Sequence, residues 1–328
     1  MKLSYLDLTT TDPAFNLAVE EYVFTQLPKD RMYLMLWQND NAIIIGKHQN
    51  TLAQINETFV RSHNIKVVRR LSGGGAVYHD MGNLNFTIIA DAENTQALNF
   101  QLLCQPIIKA LEQAGVKAEI NGRNDMTIGG KKFSGNAQYV KDGRVMHHGT
   151  ILFDSDSSML SGALQVDEAK IRAKGVQSVR SRVTNIRPLL PKDMTLPEFR
   201  ELLLQSILSD TPGEAYTLTD ADLAAIAELQ QRYDSWDWNY GHSPACTIMK
   251  KQRIEGCGTV EAYLTIRHGI IENIVFRGDF FSAADPAELA QLLEGCRPDD
   301  IPQKLADIDT TKYFMGLDSA SLIQLLQD

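Results

Sequence analysis

The sequence has few features of a secreted, membrane-spanning or nucleic-acid-binding protein. Its four cysteines, Cys104, Cys246, Cys257 and Cys296, make no CxxC pair and have no zinc-ligand spacing. That excludes a disulfide scaffold and a zinc ribbon, and predicts unpaired buried thiols in a reducing cytoplasm. No run reaches ~18 consecutive apolar residues, and Met1–Thr11 lacks a basic start followed by an apolar stretch, so no membrane or targeting segment is expected. Basic charge is scarce: 32 Lys and Arg against 41 Asp and Glu give a net charge of -9. Phosphate-backbone contacts need clustered cations, so no nucleic-acid partner is expected. One local cationic pocket remains compatible with that balance. The standard nucleotide loops are missing too, since neither GxxxxGK[ST] nor GxGxxG occurs. Repeats and low-complexity stretches are also absent.

What is there reads as an ordinary globular chain of 328 residues, 44% hydrophobic and 22% charged. The length exceeds one core, so two domains are expected, 1–245 and 246–328, with a linker near Gly241–Ala245. Asp12 and Pro13 open a helix whose apolar residues Phe15, Ala18, Val19, Tyr22 and Val23 recur at helical spacing. Tyr33–Trp37 and Ala42–Ile45 flank Asn39-Asp40-Asn41, which predicts a hairpin. A helix is expected from Thr51 to about His63, strands at Lys66–Arg70 and Asn83–Ala90, and a helix from Phe100 to Ala114 stopped by Gly115. Asp142-Gly143 predicts a tight hairpin before Arg144–Phe153. Strands and hairpins dominate from 33 to 153, which favours an α+β fold over a doubly wound sheet. Helices follow at Ser157–Leu164, Thr195–Leu208 and Thr219–Arg232. The tail has strands at Cys246–Arg253, Val260–Arg267 and Ile270–Phe276, then helices at Ala284–Leu293 and Ser319–Leu326, a smaller α+β unit.

Two places carry chemistry. Gly73-Gly74-Gly75 lies between strands, entered by Arg69-Arg70 and left by His79-Asp80. Glycines suit positive φ or close ligand approach, bare amides can cradle an anion, and arginine binds phosphate or carboxylate in a forked geometry. Alone, a triple glycine is equally a flexible hairpin tip; the flanking arginines and histidine favour a site. Lys131-Lys132, between Gly129-Gly130 and Ser134-Gly135, starts a strand, so one ammonium faces inward and the other outward. An inward lysine can stabilise charge on an α-phosphate as pyrophosphate leaves. Periodicity alone does not say which lysine that is. Asn124-Asp125 offers a carboxylate near such a site, suited to Mg²⁺ or simply to a turn. His147-His148 has no third ligand at metal spacing, so zinc is not expected.

Several ordered motifs resemble the lipoate–protein ligases of the two-domain bacterial type, in the biotin/lipoate ligase superfamily. Residues 69–83, RRLSGGGAVYHDMGN, are similar to that family's RRxSGGGAVxHDxGN signature. Gly122-Arg123-Asn124-Asp125, Lys132-Phe133-Ser134-Gly135 and His147-His148-Gly149-Thr150 resemble its GRND, KxSG and HHGT segments. Lys174-Gly175-Val176 and Ser178–Asn185 resemble its adenylate loop, and Trp236-Asp237-Trp238-Asn239-Tyr240-Gly241 its WxWNxG segment. Residues 126–131 are shorter than in some relatives, and the two-glycine turn fills the gap. The resemblance implies a catalytic domain with a large mixed or antiparallel sheet and a C-terminal accessory domain. It implies activation of lipoate with Mg·ATP to lipoyl-AMP, then transfer to a lysine of a lipoyl-carrier domain. The carrier would be a lipoyl domain of a 2-oxoacid dehydrogenase acyltransferase subunit, the glycine-cleavage H protein, or both. A monomer is implied.

Residue by residue, the resemblance favours Lys132 over Lys131, contacting both acyl-phosphate linkage and nucleotide. It assigns Arg70 and the backbone of Gly75, Ala76, Val77 and Tyr78 to the nucleotide, makes Arg70 and Lys132 the catalytic pair that steadies the developing negative charge with the loop amides, and puts Asn83 and Asp125 near ribose, phosphate or Mg²⁺. Lipoate would lie against Lys132, Ser72, Gly74, His79 and His148. Arg180, Ser181, Arg182, Val183 and Thr184 would belong to a loop closing over the adenylate. Three rivals stay open at this point: an octanoyl or lipoyl transferase that uses a cysteine and no ATP, a biotin–protein ligase, and a non-catalytic lipoate-binding relative. Cys104, the one cysteine between Arg69 and Asp156, falls on an expected amphipathic helix, which argues against the first.

Overall fold

The computed structural model describes residues 2–49, 51, 54–91, 100–121, 125–164, 183–241, 248–267, 270–297 and 300–327. In chain order the elements are β1 (Lys2–Asp7), α1 (Pro13–Thr25), β2 (Arg31–Trp37), β3 (Ala42–Ile45), α2 (Glu57–Ser62), β4 (Lys66–Arg69), β5 (Val77–His79), β6 (Asn83–Asp91) and α3 (Phe100–Gln113). Then come β7 (Glu119–Asn121), β8 (Asp125–Ile128), β9 (Lys131–Lys141), β10 (Arg144–Leu152), α4 (Ser157–Ala163), α5 (Leu196–Asp210), β11 (Gly213–Ala215), α6 (Asp220–Asp234) and α7 (Trp236–Asn239). The tail holds β12 (Ile248–Ile254), β13 (Gly258–Arg267), β14 (Ile270–Gly278), α8 (Pro286–Leu293), α9 (Ile301–Lys304) and α10 (Ser319–Gln327).

Eight strands form one mixed sheet in the order β11-β1-β2-β6-β10-β9-β8-β7. β1 is parallel to β2 and β11, and the other pairs are antiparallel. Side-chain alternation divides the core in two. Leu34, Leu36, Leu84 and Phe86 pack against α3 and α5 through Cys104, Ile107, Phe199 and Leu203. Tyr33, Met35, Trp37 and Ile89 pack the other way, against α1 and α6. A three-stranded sheet, β4-β3-β5, closes over the α1 side. The tail strands make a separate antiparallel sheet, β12-β13-β14, whose core is formed by residues from Cys257 to Leu326. Among the described residues no helix is long and apolar enough to cross a membrane.

Capping explains several boundaries. Asp12 accepts from the amides of Ala14 and Phe15, while Thr195–Glu198 and Thr219–Asp222 form reciprocal capping boxes that start α5 and α6. The α+β class expected from the sequence holds. The hairpin expected at Asn39-Asp40-Asn41 does not, because β2 and β3 join different sheets. Asn41 has φ of 45°, and Asn39 is drawn into a buried amide network, so the segment is a corner between sheets. The helix expected from Thr51 is shorter, starting at Glu57 behind an Asn56 cap. Of the expected buried thiols, Cys104, Cys257 and Cys296 are buried and in no disulfide, and Cys246 lies outside the described residues.

Candidate active site

A cavity of about 130 Å³ opens between the large sheet and the glycine loop. Arg70, Gly74, Gly75, Ala76, Val77 and Lys132 lie in its wall, together with the apolar side chains of Leu17, Trp37 and Ile44. The loop is held from behind by Arg70. Arg70 commits four of its five donors: Nε to Ser72 Oγ at 3.0 Å, Nη1 to the Ile44 carbonyl at 3.0 Å, and Nη2 to the carbonyls of Gly73 and Gly75 at 2.7 and 2.9 Å. Arg70 therefore shapes the loop from within the cavity wall. Burial pulls its pKa down to about 10, and that of Arg69 to about 9.

Arg69 lies outside the cavity. Its guanidinium donates to the carbonyls of Gly46, Gln49, Trp238 and Asn239. Trp238 Nε1 donates back to the Arg69 carbonyl, and Asn239 Oδ1 accepts the Arg69 amide. The Trp236–Gly241 motif thus clasps the strand that leads into the loop, a role the sequence did not disclose. Of the three glycines only Gly74 has positive φ, 94°. A side chain at Gly46 would run into the Gly74 carbonyl. The tail unit touches this loop: the Gly74 amide donates to the Phe280 carbonyl at 3.3 Å, and His48 stacks on the Phe280 ring at 4.8 Å.

Lys132 lies on β9, and its ammonium sits 2.6 Å from Asp125 Oδ1. It leans over Gly135, where a Cβ would stand 2.8 Å from Nζ. Lys131 is exposed. Val183 bridges Lys132 in parallel, and the Thr184 amide donates to the Lys132 carbonyl at 2.8 Å, so the chain leaving residue 182 is pinned to the lysine's own strand. Arg180, Ser181 and Arg182 lie outside the described residues, as do Gly122, Arg123 and Asn124. Asp125 is not in the cavity wall but holds the lysine that is.

His148 lies in the wall and Ser72 behind it. They form one chain of polar contacts: Ser72 Oγ is 2.6 Å from His148 Nε2, and His148 Nδ1 is 2.7 Å from Glu20 Oε1. Glu20 Oε1 also accepts the Thr87 hydroxyl at 2.7 Å, and Thr87 Oγ1 accepts Trp37 Nε1–H at 2.9 Å. His79 is also in the wall, with its pKa held down to about 3 by burial and by the nearby Arg70. Asn83 is fully buried and donates to Asn85 Oδ1; Asn85, one alternation further along the same strand face, lies in the wall instead. The Tyr78 side chain faces the small-sheet core and bonds Asn41 Oδ1, so only its backbone is near the loop. Glu20, Leu17, Trp37 and Asn85 were missed by sequence reasoning. Glu20 and Leu17 sit among the core residues of an expected helix, and nothing local marks them.

Cys104 sits across the sheet from the cavity. Its Sγ lies 3.5 Å from His147 Nε2 and 3.7 Å from Asn136 Oδ1, on the α3 side. Burial pushes the thiol up to about 12 and holds His147 down to about 3. This is a thiol next to a neutral imidazole, with no thiolate character for acyl transfer. Among the described residues no group of three His, Cys, Asp or Glu side chains assembles a metal site.

The family model for the lipoyl protein ligase A/B catalytic domain matches residues 12–208, and that for the bacterial lipoate protein ligase C-terminus matches residues 243–326. Lipoate–protein ligase 1 of Staphylococcus aureus is 42% identical over 319 residues, covering 96% of this chain and 97% of that protein. The lipoate-bound LipL1 of P. falciparum has a similar fold, with a TM-score of 0.79 at 21% identity, over 99% of this chain and 98% of that one. A bipartite lipoate protein ligase from the lipoylation system of Thermoplasma acidophilum, analysed along with its E2 lipoyl domain, is 27% identical with a TM-score of 0.67, over 76% of this chain and all of that one. A lipoate-protein ligase A bound with ATP is 26% identical with a TM-score of 0.64, over 74% and 99%. Two family models in the expected order and a relative of this identity along nearly the whole length establish that the chain belongs to the lipoate–protein ligase family of enzymes.

Proposed function

We propose that this enzyme activates lipoate with ATP and transfers the lipoyl group to a lysine of a lipoyl domain. The carrying observation is that Lys132, Arg70 and the glycine loop share one cavity with an apolar lining. Similar ligases solved with bound lipoic acid and with ATP, and one analysed together with its E2 lipoyl domain, support the same substrates. In the first step a lipoate carboxylate oxygen attacks the α-phosphorus, a P–O bond forms, and pyrophosphate leaves. The Lys132 ammonium steadies the developing charge, while Arg70 holds the loop whose backbone from Gly75 to Tyr78 faces the nucleotide. Mg²⁺ would neutralise the phosphates, and Asp125, whose Oδ1 pairs with Lys132, would hold it through its other carboxylate oxygen.

In the second step the neutral ε-amine of the carrier lysine attacks the acyl carbon, AMP leaves, and the amine gives up a proton. Adenylation has already activated the acid, so no nucleophile of the enzyme is required. Residues 180–184, anchored beside Lys132 at Val183 and Thr184, would cover the mixed anhydride and exclude water. Ser72 and His148, with Glu20 behind them, would form the wall against the acyl group. We assign the division 1–245 and 246–328 on the basis of the tail's separate core. We further assign the lipoyl domain of a 2-oxoacid dehydrogenase acyltransferase subunit or the glycine-cleavage H protein as carrier, a cytoplasmic setting that suits free thiols, and a monomeric state. The test is purified enzyme with ATP, lipoate and a lipoyl domain. Pyrophosphate, AMP and a mass gain on the carrier lysine are expected. Acyl transfer in the absence of ATP would favour a transferase instead.

A further inference from the structure

His79 carries a buried polar atom that the proposed chemistry does not use. Its Nε2 has no partner among the described residues, and the residue lies in the cavity wall. The proton on this ring can be assigned through the side chains behind it. Asn16 Nδ2 faces the carbonyl oxygens of Thr10 and Gln38 at 3.1 and 2.8 Å, so that end of Asn16 is its amide nitrogen. Asn39 faces the same nitrogen at 3.0 Å, and a second NH₂ group there would repel it, so the facing Asn39 atom is its oxygen, sharing one of the two Asn16 protons. Asn39 therefore presents its NH₂ to His79 Nδ1, 3.1 Å away. Nδ1 accepts that bond and carries no proton, so the proton of the neutral ring is on Nε2. Burial keeps the ring neutral. A buried N–H donor without an acceptor costs stability, and its persistence in a cavity wall points to a ligand atom that completes it.

The position of the ring says which part of the ligand that is. Trp37 on β2 pairs with Asn85 on β6, Asn85 with Thr150 on β10, and Thr150 Oγ1 accepts the Gly135 amide of β9. Gly135 underlies the Lys132 ammonium, while His79 contacts Asn85 and sets its ring edge-on to Trp37. The cavity therefore crosses four strands, about 14 Å at ordinary strand spacing, with Lys132 at one side and His79 at the other. A carboxylate activated beside Lys132 sends its far end toward His79. In lipoate that end is a dithiolane ring, whose sulfurs are weak hydrogen-bond acceptors; in octanoate it is a methyl group, which is none.

We propose that His79 is a specificity-determining residue, whose Nε2–H donates to a dithiolane sulfur and so favours lipoate over acids of equal length that lack sulfur. The proposal rests on the ligase reading above. Its test compares lipoate with cyclopentylpentanoate, a carbocycle of the same shape, in ATP–pyrophosphate exchange by the full chain and by His79→Phe. The intact enzyme should prefer lipoate by about tenfold in kcat/KM, because the carbocycle leaves the N–H unpaired. In His79→Phe that ratio should fall to near one. Equal efficiency on the two acids in the intact enzyme, or a variant that loses both equally and keeps the ratio, overturns the assignment. Histidine side-chain NMR of the intact enzyme gives a second reading without a variant: the His79 Nε2–H resonance should shift with lipoate and not with the carbocycle, and the reverse contradicts it. Exchange with neither acid would sink the ligase reading itself, whereas exchange with both at one rate sinks only the role of His79.

Discussion

Gly135→Ala should separate the stability of the fold from the placement of the Lys132 ammonium. The added Cβ would stand 2.8 Å from Nζ and 3.0 Å from Cε of Lys132. Ordinary contact begins at 3.4 Å, so the ammonium must retreat by about 0.6 Å. The obstacle is the far end of a flexible side chain, and alanine in a strand loses less backbone freedom than glycine, so stability should be unchanged or higher by about 0.5 kcal/mol. Misplacement by about 1 Å commonly costs near 10²-fold in rate, so a shift of this size should lower ATP–pyrophosphate exchange by roughly tenfold. Gly149→Ala is the informative contrast. There the Cβ would meet the Phe86 ring carbons at 2.6 and 2.7 Å, inside the packed core, and overpacking of that kind costs about 1–3 kcal/mol. Melting curves and exchange rates on both variants are the assay. A fully folded Gly135→Ala enzyme with undiminished exchange would refute the reasoning, because the position of the ammonium would then be irrelevant.

Cys104→Ala should keep full ATP-dependent transfer and lose about 1 kcal/mol of stability to a small cavity; abolished transfer by a folded variant would restore the cysteine-based rival. Glu20→Ala strands two buried donors, His148 Nδ1–H and the Thr87 hydroxyl, so urea denaturation should register a loss of about 2–5 kcal/mol, and a loss under about 0.5 kcal/mol would contradict the network. His79 and His147 titrate near 3 in the fold against an ordinary 6.5. Between those values the unfolded chain binds protons that the folded one does not, so their contribution is fully present above about 6.5 and falls with pH by up to about 1.4 kcal/mol per unit for each. Denaturation midpoints measured from about pH 7 down to about pH 4 should show that decline, beyond what His147→Gln retains; identical profiles would contradict it.

The secondary structure was legible where local chemistry decides it. Asp12-Pro13, Thr195 with Glu198 and Asp142-Gly143 fix their elements by caps and turns that need no tertiary partner. The pairing of strands was not. Tyr33–Trp37 and Ala42–Ile45 look like a hairpin, yet β2 is a central strand between β1 and β6, and β3 belongs to the smaller sheet. The short edge strands β7 and β11 gain their hydrogen bonds from β8 and β1, and three residues leave no periodic signal. At the site, the loop and the lysine stood out because glycines and paired cations are unusual in strands. Asn85 and Trp37 did not, because their importance comes from register across β2, β6 and β10. Glu20 reads as a surface residue by type, and only the fold places its carboxylate under His148.

The account depends most on the ammonium of residue 132 acting at the site of adenylation. ATP–pyrophosphate exchange with lipoate, run on the intact enzyme and on Lys132→Ala, measures that step without a carrier. Loss of an electrostatic partner to the transition state should lower exchange by about 10²–10³-fold while the melting temperature holds. Exchange retained within about threefold in the folded variant would contradict the central claim.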